Sequence, residues 1–208
     1  MIDPMGGPDW WWPLLLGFLL AYLLGSIPSG FVLTRWAGLG DIRKIGSGNI
    51  GATNVLRTGR KGLAIATLLF DLLKGAIPTF IAWRWFGPDM AVLAGAGAFL
   101  GHCFPVWLGF KGGKGVATAA GVILGFTPSV MAILLLAFIA VVALTRYVSL
   151  ASILTAVFAP VVAWLLGEVQ PAQLYLLLAV IVVVKHHANI ARLLKGQESK
   201  VSMGGARS

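Results

Sequence analysis

From Gly46 to Gly62 the chain reads GSGNIGATNVLRTGRKG, a run rich in groups that bind anions. Glycines let backbone N–H groups approach a ligand closely, and successive N–H groups can form an anion-binding concavity. Around Gly48, the side chains of Ser47, Asn49, Thr53 and Asn54 add neutral hydrogen bonds. Arg57 adds a planar, permanently charged fork suited to phosphate oxygens. A second stretch, GHCFPVWLGFKGGKGVATAAG from Gly101 to Gly121, sets Lys111 and Lys114 among Gly112, Gly113 and Gly115. It leads into a short helix predicted to start near Val116, and a helix N-terminus is itself a ready anion site. A third, KHHANIARLLKGQESK from Lys185 to Lys200, spaces His186, Asn189 and Leu193 as i, i+3, i+7. That spacing predicts one helical face on which a histidine and an asparagine project together. Arg146 and Ser149, in TRYVSL, close a further polar turn.

Several chemistries are excluded or unsupported. The interval from Gly109 to Gly113-Lys114 is three residues rather than four, and Gly115 stands where a nucleotide-phosphate loop needs Ser or Thr. Nucleotide hydrolysis is therefore unsupported. None of His102, His186 and His187 has an acid four residues later, and no Ser-His-Asp set emerges. The single cysteine, Cys103, rules out an internal disulfide and lies in an apolar run where a thiolate is disfavoured. Adjacent His186 and His187 point apart on a helix and lack a carboxylate at ligand spacing, so no metal is expected. No cofactor is implied.

The elements that must carry these residues are membrane helices. The chain is 58% hydrophobic and 11% charged, where soluble domains are about half apolar and a quarter charged. Spans of about 20 apolar residues are expected for about 30 Å of hydrocarbon. The sequence predicts them at 13–33, 63–83, 90–108, 128–144, 149–166 and 172–184, the last continuing as helix through Leu194. A shorter apolar piece, Val116–Phe126, ends at TPS, where Pro128 begins the next helix. The expected fold class is an all-α polytopic bundle of about seven transmembrane helices in one domain, 1–208. A five-span alternative holds if the short piece and a neighbour are re-entrant. The segment Thr34–Lys61 holds six basic residues, and further Lys and Arg fall in the third and fifth connections and the tail. Enrichment of Lys and Arg in cytoplasmic loops then puts the N-terminus outside and the C-terminus in the cytoplasm. It also explains the net charge of +9 without invoking nucleic acid. Residues 1–12 form an acidic outer segment ending in Trp10, Trp11 and Trp12 as interfacial anchors, and 196–208 a polar, disordered cytoplasmic tail. Inside the second span Asp71 and Lys74 lie one turn apart. A charge at the membrane centre costs about 2.5–3.5 kcal/mol, which an i, i+3 pair lessens. They are expected to be structural.

Taken together, the motifs resemble the acyl-phosphate-dependent glycerol-3-phosphate acyltransferases of bacteria, the PlsY family. The matching residues are GSGNIGATNVLR at 46–57, DLLKG at 71–75, GHCFPVWLGFKGGKGVAT at 101–118, RYVSL at 146–150, and the His, Asn, RLLKG, Glu and Lys pattern from His186 to Lys200. His187 departs from the family, which usually has Arg there. The resemblance implies a seven-helix inner-membrane enzyme with its site facing the cytoplasm. It implies transfer of a fatty acyl group from acyl phosphate to the 1-position of glycerol 3-phosphate, giving lysophosphatidic acid and phosphate. By the same resemblance Ser47, Arg57, His186 and Asn189 serve catalysis and the Gly112–Gly115 loop binds phosphate. Gly48, Asn49, Asn54, His102, Lys111, Lys114 and Ser149 are substrate-binding candidates, and Glu198 matches a structural glutamate. Membrane lipid and the enzyme that forms acyl phosphate are the implied partners.

An acyl phosphate is already activated, so the protein needs mostly positioning and stabilisation of a developing oxyanion. The proton of the glycerol hydroxyl goes either to His186 or to the leaving phosphate, and nothing in the sequence orients His186 as a base. The competing class is an anion transporter, which would need polar residues in both membrane halves; the predicted outer ends are nearly bare. A lipid-binding scaffold would explain the basic tail but not the Ser47–Arg57 spacing.

Overall fold

A computed structural model describes residues 11–201, and among these every regular element is helical. Most of the expected outer segment 1–12, including Trp10, and the end of the tail lie outside the described residues. The helices are α1 (Trp11–Gly25), α2 (Ser29–Trp36), α3 (Ala52–Leu56), α4 (Lys61–Phe86), α5 (Pro88–Cys103), α6 (Val116–Phe126), α7 (Pro128–Thr145), α8 (Val148–Leu165), α9 (Val169–Lys185) and α10 (His187–Leu194). All seven predicted segments are helical. Five stretches are long and apolar enough to cross a bilayer: Trp11–Trp36, Lys61–Phe86, Pro88–Leu108, Pro128–Thr145 and Val148–Leu165. The α9–α10 pair adds a sixth if counted together. At 11 residues α6 is about 16 Å long, roughly half the hydrocarbon thickness.

Two expectations need correction. The first span is not one helix: it breaks at residues 26–28 between α1 and α2. Pro28 has no N–H to donate and disfavours helical backbone at the residue before it, so the chain restarts at Ser29. Nor does the last span run on through Leu194. The chain bends by 61° at His186, between α9 and α10. The face shared by His186, Asn189 and Leu193 on one continuous helix therefore does not exist.

The chain forms two compact units, Met1–Pro128 and Ser129–Ser208. In the first, α5 packs on α1, α4 and α6, and α4 also packs on α6. Without a hydrophobic drive between helices in lipid, close backbone approach through small residues carries such packing. A methyl group on Gly25 would meet the Ala98 carbonyl oxygen at 2.1 Å, and one on Gly121 that of Leu72 at 2.0 Å. Only Gly87 separates α4 from α5, so the two run antiparallel, and the start of α4 lies at the same end as the finish of α5. In the second unit α8 and α9 pack together across the short connection 166–168. This brings Ser149 and His186 to one end of that pair. Leu69, Phe70, Leu136 and Ile139 are exposed, as lipid-facing side chains are.

Candidate active site

The first glycine-rich loop is organised by one buried side chain. Asn54 is 2% exposed. Its Oδ1 accepts from the backbone N–H and the hydroxyl of Ser47, at 2.9 and 3.2 Å. Its Nδ2 faces the carbonyl oxygens of Ile42, Ile45 and Asn49, at 3.1, 3.0 and 2.8 Å. Asn49 closes a tight turn by accepting from Gly51 N–H at 2.8 Å. The Asn54 amide and the Asn49 Oδ1 are both spent on shaping the loop. What the loop presents is Ser47, Gly48 and Arg57, all exposed. Arg57 lies across Gly46, where a methyl group would fall 2.9 Å from its Cδ. On the flank, Arg43 forks onto Asp41, with Nη2 to Oδ2 at 2.7 Å, and that hydrogen-bonded cation lowers the Asp41 carboxyl to about 2. The Arg43 guanidinium also sits 5.0 Å above the ring of Phe31.

Beneath the loop Ile42, Ile50, Val55 and Ala64 form a small buried core, with Phe31 and Leu108 against it. Leu108 belongs to a 3₁₀ turn, Val106–Leu108, that leads into the second glycine loop. The two loops thus share one end of the α4–α5 hairpin, with Leu108 packed against the core beneath the first. The second loop folds back on the end of α5. Gly112 N–H donates to the Cys103 carbonyl at 3.2 Å and Gly113 N–H to that of His102 at 3.1 Å. Gly115 is left-handed, with φ of 83°, and a methyl group there would lie 2.2 Å from the Phe99 ring. It starts α6 with no side-chain cap, which leaves the first-turn N–H groups of α6 pointing at the loop. Lys111 is exposed and Lys114 half-buried.

Below these loops, within the membrane span, is a buried polar cluster. Lys74 Nζ lies 2.7 Å from Asp71 Oδ1, as the one-turn spacing predicts, and donates to the Ile27 carbonyl at 2.9 Å. Ser29 Oγ donates to the same Asp71 oxygen, and His102 Nδ1 stands 3.4 Å from it. His102 is 4% exposed. It is therefore placed against Asp71 rather than on the open side of the loop.

In the second unit two site candidates, Ser149 and Asn189, converge with Arg192 on Glu198. Its Oε1 accepts from Ser149 Oγ at 2.7 Å and Asn189 Nδ2 at 2.6 Å, and Oε2 from Arg192 Nε at 2.6 Å. Burial pushes the Glu198 carboxyl up, but these three hydrogen bonds outweigh it and hold its pKa below the ordinary value. Val201 N–H adds a bond to the Arg146 carbonyl at 2.9 Å. Residues 197–201 are thereby strapped to the start of α8, where a disordered tail was expected. The strap closes through contacts distant in sequence, which composition cannot reveal. His186 is buried, and its Nδ1 faces the Val182 carbonyl at 2.7 Å. A carbonyl can only accept, so Nδ1 carries a hydrogen. His187, by contrast, is exposed.

Residues 15–196 match the family model described as glycerol-3-phosphate acyltransferase. A glycerol-3-phosphate acyltransferase of Mesorhizobium japonicum is 57% identical over 92% of this chain and 98% of its own length. One of Agrobacterium fabrum is 55% identical over 92% and 94%. This chain belongs to the glycerol-3-phosphate acyltransferase family. Its backbone agrees: it superimposes with a TM-score of 0.88, at 40% identity, on the crystal structure of PlsY (YgiH), an integral membrane glycerol 3-phosphate acyltransferase, in the glycerol 3-phosphate form. That match covers 91% of this chain and 96% of the other. The lysophosphatidic acid form of PlsY gives 0.85 at 39%. The chain is accordingly a multi-pass membrane protein of an acyltransferase family.

Sequence reasoning missed two residues of these arrangements. Ser29, hydrogen-bonded to Asp71, was absorbed into an apolar span, although a polar residue beside a proline inside a span is itself a signal. The pairing of Arg192 with Glu198 has no signature at six residues' separation.

Proposed function

We propose that this protein transfers a fatty acyl group from acyl phosphate to the 1-position hydroxyl of glycerol 3-phosphate. The site would face the cytoplasm at the bacterial inner membrane. The single observation that carries the reading is that two glycine-rich, cationic loops lie at one end of the α4–α5 hairpin. Both substrates carry phosphate, and phosphate calls for Arg, Lys and backbone N–H donors together. Arg57, Lys111, Lys114 and the first turn of α6 supply that set. The names of the close relatives and the glycerol 3-phosphate form of PlsY support the acceptor.

In the proposed reaction the glycerol oxygen attacks the acyl carbonyl carbon. The carbon–oxygen bond to phosphorus-bound oxygen breaks, and inorganic phosphate leaves with the electron pair. Ser47 and Arg57 orient and stabilise charge on the reacting groups. The hydroxyl proton goes either to His186 or to the leaving phosphate itself. Asn189 acts through Glu198. The deciding experiment is phosphate release from acyl phosphate by the purified protein in lipid nanodiscs. Release that depends on glycerol 3-phosphate, with equimolar lysophosphatidic acid, is the expected result; folded protein giving no such release overturns the reading.

A further inference from the structure

The buried cluster in the first unit does more than neutralise charge. Asp71 and Lys74 neutralise one another's charge. Yet Asp71 Oδ1 also meets Ser29 of α2 and His102 of α5, so a single oxygen ties three helices. Asp71 lies ten residues into α4, about 15 Å from its start. His102 is the link upward. One ring nitrogen, Nδ1, faces Asp71. The other, Nε2, abuts the second glycine loop: a methyl group built on Gly113 would lie 2.0 Å from it and 2.7 Å from Cε1. The carbonyl of the same residue accepts the Gly113 N–H. His102 therefore contacts Gly113 twice, by ring edge and by backbone, while its Nδ1 stands 3.4 Å from Asp71 below.

We propose that Asp71, through His102, positions the backbone of the second glycine loop, making both positioning residues for phosphate binding. The imidazole acts as a wedge. It fills the space that any residue larger than glycine would take at 113, and Asp71 sets how far it projects. With the Gly112 and Gly113 N–H groups spent on α5 carbonyls, the loop is held in register with the first turn of α6, whose N–H groups face it. The proposal rests on the reading of this loop as a phosphate binder, and the test separates the two.

The test uses the full chain in nanodiscs, as His102→Ala, Gly113→Ala, the double variant and Asp71→Asn. Amide hydrogen exchange reads the loop without reference to activity. In His102→Ala the amides of Gly112 and Gly113 should exchange about tenfold faster or more, with α9 amides unchanged. Steady-state kinetics should show KM for glycerol 3-phosphate up by about fivefold or more, with kcat within about twofold. Asp71→Asn should move both readouts in the same direction. Gly113→Ala should raise KM, and the double variant should show less than the product of the single effects, because the ring it collides with is gone. Unchanged loop exchange in His102→Ala, or loosening shared equally by α9, overturns the positioning role. So do effects that simply multiply. Faster loop exchange with an unchanged KM leaves the wedge standing and removes phosphate binding from the loop.

Discussion

At the scale of single residues the first loop separates shape from chemistry. Asn54 looked like a ligand by type, but its amide is consumed by the loop's own carbonyls and by Ser47. Asn54→Ala leaves buried carbonyls without donors, at about 1–3 kcal/mol for each fully buried group. The expected outcome is loss of nearly all phosphate release, with faster proteolysis at 42–58 and unaltered membrane insertion. Ser47 and Arg57 stand on the presented side. Ser47→Ala and Arg57→Ala are expected to lose activity while the thermal unfolding midpoint in detergent stays put. Lys61→Ala, at the exposed start of α4, should be nearly neutral in both measurements. His186 offers a sharper test, because the Val182 carbonyl orients the ring in a way the sequence did not announce. His186→Ala should lose rate, and added imidazole should restore part of it. Loss without rescue and with an unchanged pH dependence would hand the proton to the leaving phosphate instead.

At the scale of elements the bundle was legible because lipid imposes a simple rule. Backbone groups in hydrocarbon must pair within their own segment, so apolar runs become helices. That rule recovered Val116–Phe126 to the residue and Pro128 as the next start. It could not show the 61° bend at His186, because the apolar-to-polar transition there reads the same for a straight or a broken helix. Nor could it show the strap of residues 197–201, which depends on one carboxylate meeting Ser149, Asn189 and Arg192. The strap has a consequence for pH. The Glu198 carboxyl titrates lower in the folded protein than unfolded. Its contribution is fully present above the unfolded value and is lost as pH falls through the folded one. Tail proteolysis at 196–201 should therefore rise as pH drops below the ordinary glutamate range. In Glu198→Gln it should be fast already at pH 7 and flat with pH.

At the scale of the whole molecule, charge and hairpin geometry constrain orientation in different ways. The α4–α5 hairpin fixes only that the two glycine loops share an end and that the Gly87 connection lies at the other. The enrichment of Lys and Arg in cytoplasmic loops, with six basic residues between Thr34 and Lys61, predicts that the loop end faces the cytoplasm. The second unit carries its own version: Val169 begins α9 after the short connection to α8, and Gln197 lies past α10 in the basic tail. Because Cys103 is fully buried, introduced cysteines report without removing it. Lys44→Cys, Lys111→Cys and Gln197→Cys should react with a membrane-impermeant maleimide only in inside-out vesicles. Arg84→Cys and Val169→Cys should react only in right-side-out ones. If Lys44 and Lys111 labelled from opposite sides, the shared end of the hairpin would be wrong and the proposed phosphate site with it. If all five labelled together but inverted, the site would stand and only its cytoplasmic placement would fall.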